Sequence, residues 1–168
     1  MANKKEIAIL LHNIRSVYNV GSIFRTADAL GIDKIYLSGF TPTPLDRFGR
    51  YRKDLSKVAL GAEKNVSWQY VKDPKRLIEK LNPPLLKLQR VKERYQIIAL
   101  EQNKNSIDYK KVKIKSKVLF VVGNEVEGVS EKILRMCDVV AEIPMKGKKE
   151  SLNVSVALAV ALFCIIYK

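Results

Sequence analysis

Apolar and polar positions along this chain group into short blocks that predict strands and helices in turn. Glu6 to Leu11 (EIAILL) is an apolar run of strand length. The segment after Asn19, GSIFRTADALG, instead puts Ile23, Phe24, Ala27 and Leu30 on one helical face, with Asn19 as the expected N-cap and Gly31 as the stop. Lys34 to Leu37 reads as the next strand. Strand, helix and strand within about thirty residues make a βαβ unit, whose two strands run parallel through a right-handed crossover.

The pattern continues downstream. Thr41 to Ser56 is proline-bearing, basic and aperiodic, which predicts a mobile loop. A short strand is expected around Asn65 to Trp68 and a helix over Pro74 to Leu81, broken by Asn82-Pro83-Pro84; Leu85 to Val91 reads as helix or loop. Gln96 to Leu100 and Lys117 to Val122 have the composition of buried strands. Val129 to Met136 predicts a helix, Val139 to Ile143 a strand, and Leu152 to Tyr167 a final helix. Alternation of this kind specifies an α/β fold with a mostly parallel sheet flanked by helices.

Composition narrows the class. With 168 residues, 47% of them hydrophobic and 29% charged, the chain is expected to fold as a single domain over residues 1–168. Its nearest approach to a membrane span, Val154 to Tyr167, is too short, and no cleavage site follows the basic N-terminus, so a cytoplasmic protein without a membrane partner is expected. Cys137 and Cys164 lie in apolar patterns and read as reduced, buried thiols. With one histidine and no Cys-x-x-Cys, a zinc site of several imidazoles is excluded within one chain. His12 closes a strand beside Asn13, where a strand-end role outweighs that of a general base.

Charge changes the picture more. Lys and Arg number 31 against 17 Asp and Glu, a net +14, which favours a polyanionic partner. Basic clusters recur: Arg47, Arg50, Arg52 and Lys53; Lys72, Lys75 and Arg76; Lys87, Arg90, Lys92 and Arg94; Lys110 to Lys117; Lys146, Lys148 and Lys149. Phe48 and Tyr51 sit among the arginines of the first, a combination suited to phosphate contact plus base stacking. Each cluster alone equally describes a solvated surface. The lysines at 111, 113, 115 and 117 alternate with Val112, Ile114 and Ser116 like an edge strand guarded by charge.

Three strand ends carry unusual residues, and ligands of open parallel sheets bind beyond such ends. Neither a Gly-x-Gly-x-x-Gly fingerprint nor a phosphate loop is present. The first motif runs from Asn13 to Ala27 and includes Asn19 and Arg25; Arg25 falls on a helical face with Ser22, as a plain surface arginine or as a cation aimed at a phosphate or oxyanion. The second, Gly123-Asn124-Glu125-Val126-Glu127-Gly128-Val129-Ser130, follows a hydrophobic strand. Its Gly123 would admit a ligand close to the backbone, and Glu125 would orient Arg25 or cap the next helix. In the third, Ile143 to Gly147 then Ser151 to Ala157, Ser151 or Asn153 is a candidate cap for the last helix.

In this order and spacing the motifs resemble those of the SpoU (TrmH-like) RNA ribose methyltransferases of the SPOUT class, and the resemblance extends through Leu60-Gly61-Ala62-Glu63 and Ala99-Leu100-Glu101-Gln102. It implies a SPOUT fold with a C-terminal deep trefoil knot, a homodimer, and transfer of a methyl group from S-adenosylmethionine to a ribose 2′-hydroxyl of tRNA or rRNA. By position, Arg25, Asn19, Glu125, Ser151 and Asn153 correspond to the catalytic polar set, and loops at Leu100, Gly123, Ile143 and Leu152 to the cofactor site. The final helix, Leu152 to Ile166, would line the knot and pack across the dimer. The first motif starts by residue 13, so no separate N-terminal RNA-binding domain is expected, and Thr41 to Lys53 is the leading candidate for RNA contact. Two alternatives stay open at this point: a non-catalytic RNA-binding protein on the same scaffold, and a knotted methyltransferase acting on a base.

Overall fold

The computed structural model describes residues 5–83 and 94–167. Two strands explain its layering. In β1 (Glu6–His12), Ile7, Ile9 and Leu11 join one buried cluster while Ala8 and Leu10 join another. In β6 (Lys117–Val122), Val118, Phe120 and Val122 divide from Leu119 and Val121 in the same way. Side chains of a strand alternate between faces, so a run that is apolar throughout needs cover on both sides. Helices supply it. On one face lie α1 (Val17–Leu30), α2 (Lys53–Ala59), α3 (Ala62–Asn65) and α6 (Val154–Ile166); on the other lie α4 (Pro74–Leu81) and α5 (Glu131–Leu134).

The sheet also contains β2 (Lys34–Ser38), β3 (Trp68–Val71), β4 (Gln96–Leu100), β5 (Ile107–Asp108) and β7 (Val139–Glu142). Its seven strands run in the order β3-β2-β1-β6-β4-β7-β5, every pairing parallel. The expected parallel α/β architecture and its opening βαβ unit are therefore present. From β1 the chain builds outward through β2 and β3, and the later strands build the other half from β6, so the topology switches between β1 and β6. Crevices form at the carboxyl ends of strands flanking such a switch. No described helix is long and apolar enough to cross a membrane.

Several local expectations need correction. Ser16, not Asn19, caps α1: its hydroxyl accepts the backbone N–H of Asn19 at 3.3 Å, which frees the Asn19 side chain for other work. Gly31 ends the helix in the left-handed conformation, as expected (φ 65°). The strand expected at Asn65 to Trp68 begins at Trp68, because Ala62–Asn65 closes into a helical turn. The helix expected from Val129 to Met136 shortens to Glu131–Leu134. The lysine-alternating segment is no edge strand. Tyr109–Lys111 forms a 3-10 turn, residues 112–116 belong to no strand, and Lys117 opens β6 in mid-sheet. The Gln96 side-chain amide holds that segment, donating to the Lys113 carbonyl (3.2 Å) and accepting from the Lys115 N–H (3.0 Å). Leu85 to Val91 lies outside the described residues.

The segment expected to be a mobile loop, Thr41 to Ser56, is built. Its end starts α2 at Lys53, and Leu45 pairs with Tyr51 in an antiparallel bridge. Between them the Asp46 carboxylate accepts the N–H groups of Phe48 (2.8 Å) and Arg50 (3.0 Å), while Gly49 takes φ 75° at the bend. One short acidic side chain with local donors closes such a turn on its own, which periodicity cannot detect.

Candidate functional site

Glu125 is the hub of the crevice between β1 and β6. Its carboxylate accepts the backbone N–H of Arg15 (2.9 Å) and Ser16 (3.1 Å) and the side-chain amide of Asn19 (2.9 Å). Asn19 in turn accepts the amide of Asn153 at 3.0 Å, and the Asn153 carbonyl oxygen accepts the N–H groups of Ser155 (2.9 Å) and Val156 (3.4 Å) as the N-cap of α6. Residues from all three motifs thus form one hydrogen-bonded line. Partial burial works to raise the Glu125 pKa, but the Arg15 N–H, the Asn19 amide and the Ser16 N–H together outweigh it, and the carboxyl sits below its ordinary value. Glu125 therefore serves the N-terminus of α1 and the Asn19–Asn153 pair. Within the chain it makes no hydrogen bond to Arg25, and Ser130 rather than Glu125 stands at the N-cap of α5.

Beside this line opens a cavity of about 460 Å³, within the range of small-molecule sites. The loops after β4, β6 and β7 and the start of α6 line it, and they bring together Leu100, Gly123, Ile143 and Leu152 with Glu125, Ser151 and Asn153. Gly123 has a tighter reason than ligand access: a Cβ there would stand 2.2 Å from the Gly128 carbonyl oxygen. Asn124 and Gly128 exchange backbone hydrogen bonds of 3.1 and 2.9 Å, and the Asn124 side chain ties the loop to the Asn13 carbonyl (2.9 Å). Gly128 takes φ 66° with the Glu101 carboxylate close against it.

Sequence reasoning missed the acidic lining. Glu101, Glu125, Glu127 and Glu142 all border the cavity, and among the described residues no Lys or Arg does. They do not converge: among the described residues no His, Cys, Asp or Glu group is arranged to hold a metal ion. Glu101 accepts the N–H of Val129 and of Gln102, each at 2.8 Å, and so pins the second motif to the end of β4. An acidic residue directly after an apolar strand was its only signal. On a chain of net charge +14 such a lining repels phosphate and suits a cationic ligand.

Two expected residues stand apart from the cavity. Asn19 reaches it only through Glu125 and Asn153. Arg25 is exposed on α1, outside the cavity lining, and its side chain makes no hydrogen bond or ion pair among the described residues. His12 bonds through Nδ1 with the Ser38 hydroxyl at 2.8 Å, burial lowers its pKa, and it stands at a strand end outside the cavity lining. Burial also pushes the Cys137 thiol up to about 12, leaving it unreactive.

Residues 6–163 match the SpoU rRNA Methylase family. Over 161 residues the chain is 32% identical to a tRNA (guanosine(18)-2′-O)-methyltransferase of Aquifex aeolicus, covering 95% of this chain and 68% of that protein. The chain spans between 56% and 68% of the length of the first curated relatives it matches. A crystal structure of an A. aeolicus TrmH/SpoU tRNA modifying enzyme superposes with a TM-score of 0.77 at 27% identity, covering 96% of this chain and 74% of that one. An AdoMet-bound rRNA methyltransferase from Sinorhizobium meliloti gives a TM-score of 0.77 at 25% identity, covering 98% of this chain and 57% of that one.

Proposed function

The chain belongs to the SpoU rRNA methylase family, and on that premise we propose that it transfers a methyl group from S-adenosylmethionine to a ribose 2′-hydroxyl of tRNA or rRNA. The observation that carries this reading is the carboxylate-lined cavity, which no Lys or Arg among the described residues borders. S-adenosylmethionine adds a sulfonium and an ammonium against one carboxylate, so it enters such a cavity as a cation, whereas a nucleotide phosphate would be repelled. Backbone groups at Leu100, Gly123, Ile143 and Leu152 would hold it, with Glu101 fixing the loops that carry them. When bound, the cofactor supplies an activated methyl.

The protein's task is then to align the ribose oxygen and stabilise its growing negative charge as the proton leaves to water. Arg25 is the group for this. A guanidinium holds its proton too tightly to be a good base, but it is a good fork for a phosphate and an alkoxide. Because Arg25 stands outside the cavity of its own chain, it acts across a dimer, and Asn19, Glu125, Ser151 and Asn153 shape the receiving side. An exposed apolar stripe at helical spacing on and beside α6 (Leu152, Val156, Val160, Phe163 and Tyr167) supports the dimer. We also infer that residues 143–153 thread as the family's trefoil requires; their loop and the 123–128 loop both border the cavity before α6 returns to pack on α1.

Nucleoside mass spectrometry of RNA treated with the chain and S-adenosylmethionine tests the chemistry. A 2′-O-methylnucleoside is expected; a base-methylated product or none overturns it. Mixing inactive Arg25→Ala and Asn153→Ala proteins tests the trans arrangement, which predicts partial recovery of activity. Arg25→Lys tests the clamp, since retained activity with a lowered pH optimum would make residue 25 a base.

A further inference from the structure

The loop closed by Leu45 and Tyr51 has a geometry that RNA methylation does not by itself require. Phe48, at its tip, is 65% exposed, with the guanidinium carbons of Arg47 and Arg50 at 4.7 and 5.0 Å from the ring centroid. Tyr51 is 47% exposed beneath the ammonium of Lys64, 5.2 Å from its ring. A lone exposed aromatic needs no explanation, but two within four residues, each under a cation, form a patterned surface. The loop is rigid by construction. Asp46 accepts two backbone N–H groups and pairs with the Arg50 guanidinium at 3.1 Å, and further backbone bonds join Asp46 to Arg50 and Gly49 to Asp46.

The ion pairs also sort the cations. Arg50 is engaged by Asp46 and Arg52 by Asp54 (2.7 Å), whereas Arg47 and Lys64 have no carboxylate partner among the described residues. The loop therefore holds two exposed aromatic rings, each with a cation over it that has no carboxylate partner among the described residues. An A-form duplex cannot use such faces, because its bases are stacked on one another; unpaired nucleotides can. Stacking accepts any base and the charges contact only phosphates, so the surface selects strandedness rather than sequence.

We propose that residues 45–52 with Lys64 form a stacking platform for unpaired nucleotides of the substrate RNA, Phe48 and Tyr51 taking bases and Arg47 and Lys64 taking phosphates. This rests on the RNA reading above and narrows it to targets in single-stranded loops. The loop follows β2, and all strands of the sheet are parallel, so the platform stands on the same edge of the sheet as the acidic cavity.

The test is fluorescence anisotropy of the full chain with a labelled RNA hairpin bearing an open loop, and with the same stem closed as an uninterrupted duplex. Tighter binding of the hairpin is expected. Phe48→Ala should weaken it about 10- to 100-fold, by the known worth of one stacked base, with Phe48→Tyr restoring affinity and S-adenosylmethionine binding unchanged. Arg47→Gln and Lys64→Gln should each lower the salt slope by about 0.7. Equal affinity for both RNAs, or a Phe48→Ala protein that binds the loop as the parent does, overturns the platform. Loop binding without methyl transfer would instead sink the enzymatic reading and leave the platform standing.

Discussion

The acidic cavity and the basic loop share one edge of one sheet, yet they are made in opposite ways. The cavity draws its lining from loops after three strands and from α6, and its hydrogen bonds join residues more than a hundred positions apart, such as Asn19 with Glu125 and Asn153. The loop is local: Asp46 closes it within four residues. One region gathers carboxylates, the other arginines and aromatics. On the proposed function, opposite fields side by side would keep phosphate out of the cavity while drawing RNA to its rim. A long-range site is thus rigid only when the whole domain is folded, and a local one is rigid by itself.

The sharpest way to break this comparison is Gly123→Ala. Its Cβ meets backbone at the Gly128 carbonyl, so the cavity wall must move. Calorimetry should show S-adenosylmethionine affinity falling by up to about 150-fold, given that such overpacking costs about 1–3 kcal/mol, while RNA binding at the loop persists. Arg25→Ala comes next. It should lower kcat/KM by about 10²–10³-fold, the scale of one lost oxyanion donor, with cofactor affinity held.

A pH titration sharpens the contrast further. The folded Glu125 pKa lies below its reference of 4.5, so its stabilisation is fully present above that value and is lost as pH falls through the lower folded value. Glu125→Gln should therefore be less stable than the parent near neutrality and converge with it in acid, measured by urea unfolding. The smallest effect is expected from Asp46→Asn, which weakens an exposed, solvent-screened ion pair and should reduce loop-RNA affinity only a few-fold.

Much of the fold was legible because parallel strands buried on both faces need unbroken apolar runs, and β1, β4 and β6 have them. The α1 face and its Gly31 stop were legible for the same reason of period. What failed was local chemistry overriding period. Ser16 displaced Asn19 as the cap once Glu125 and Asn153 claimed the Asn19 side chain from afar. The lysine alternation of 111–117 imitated a strand, but a single glutamine amide had taken the pairing role. In the site, the motifs supplied the cavity loops and the Glu125–Asn19–Asn153 line. They did not show Glu101, Glu127 and Glu142 facing one space, because a shared acidic field arises only when separate strands end together. Nor did they show that Arg25 stands clear of its own chain's cavity.

The bond between Asn153 and Asn19 joins positions 134 residues apart. Closing so long a loop is entropically slow, and a nascent chain can gain its grip on a ligand only after its final helix has emerged. Any molecule held there binds the completed domain alone, so it should raise the midpoint of global melting by mass action, about 2.7 kcal/mol at a hundredfold excess over Kd. A simple thermal-shift assay would thus read chain completion and occupancy in a single curve.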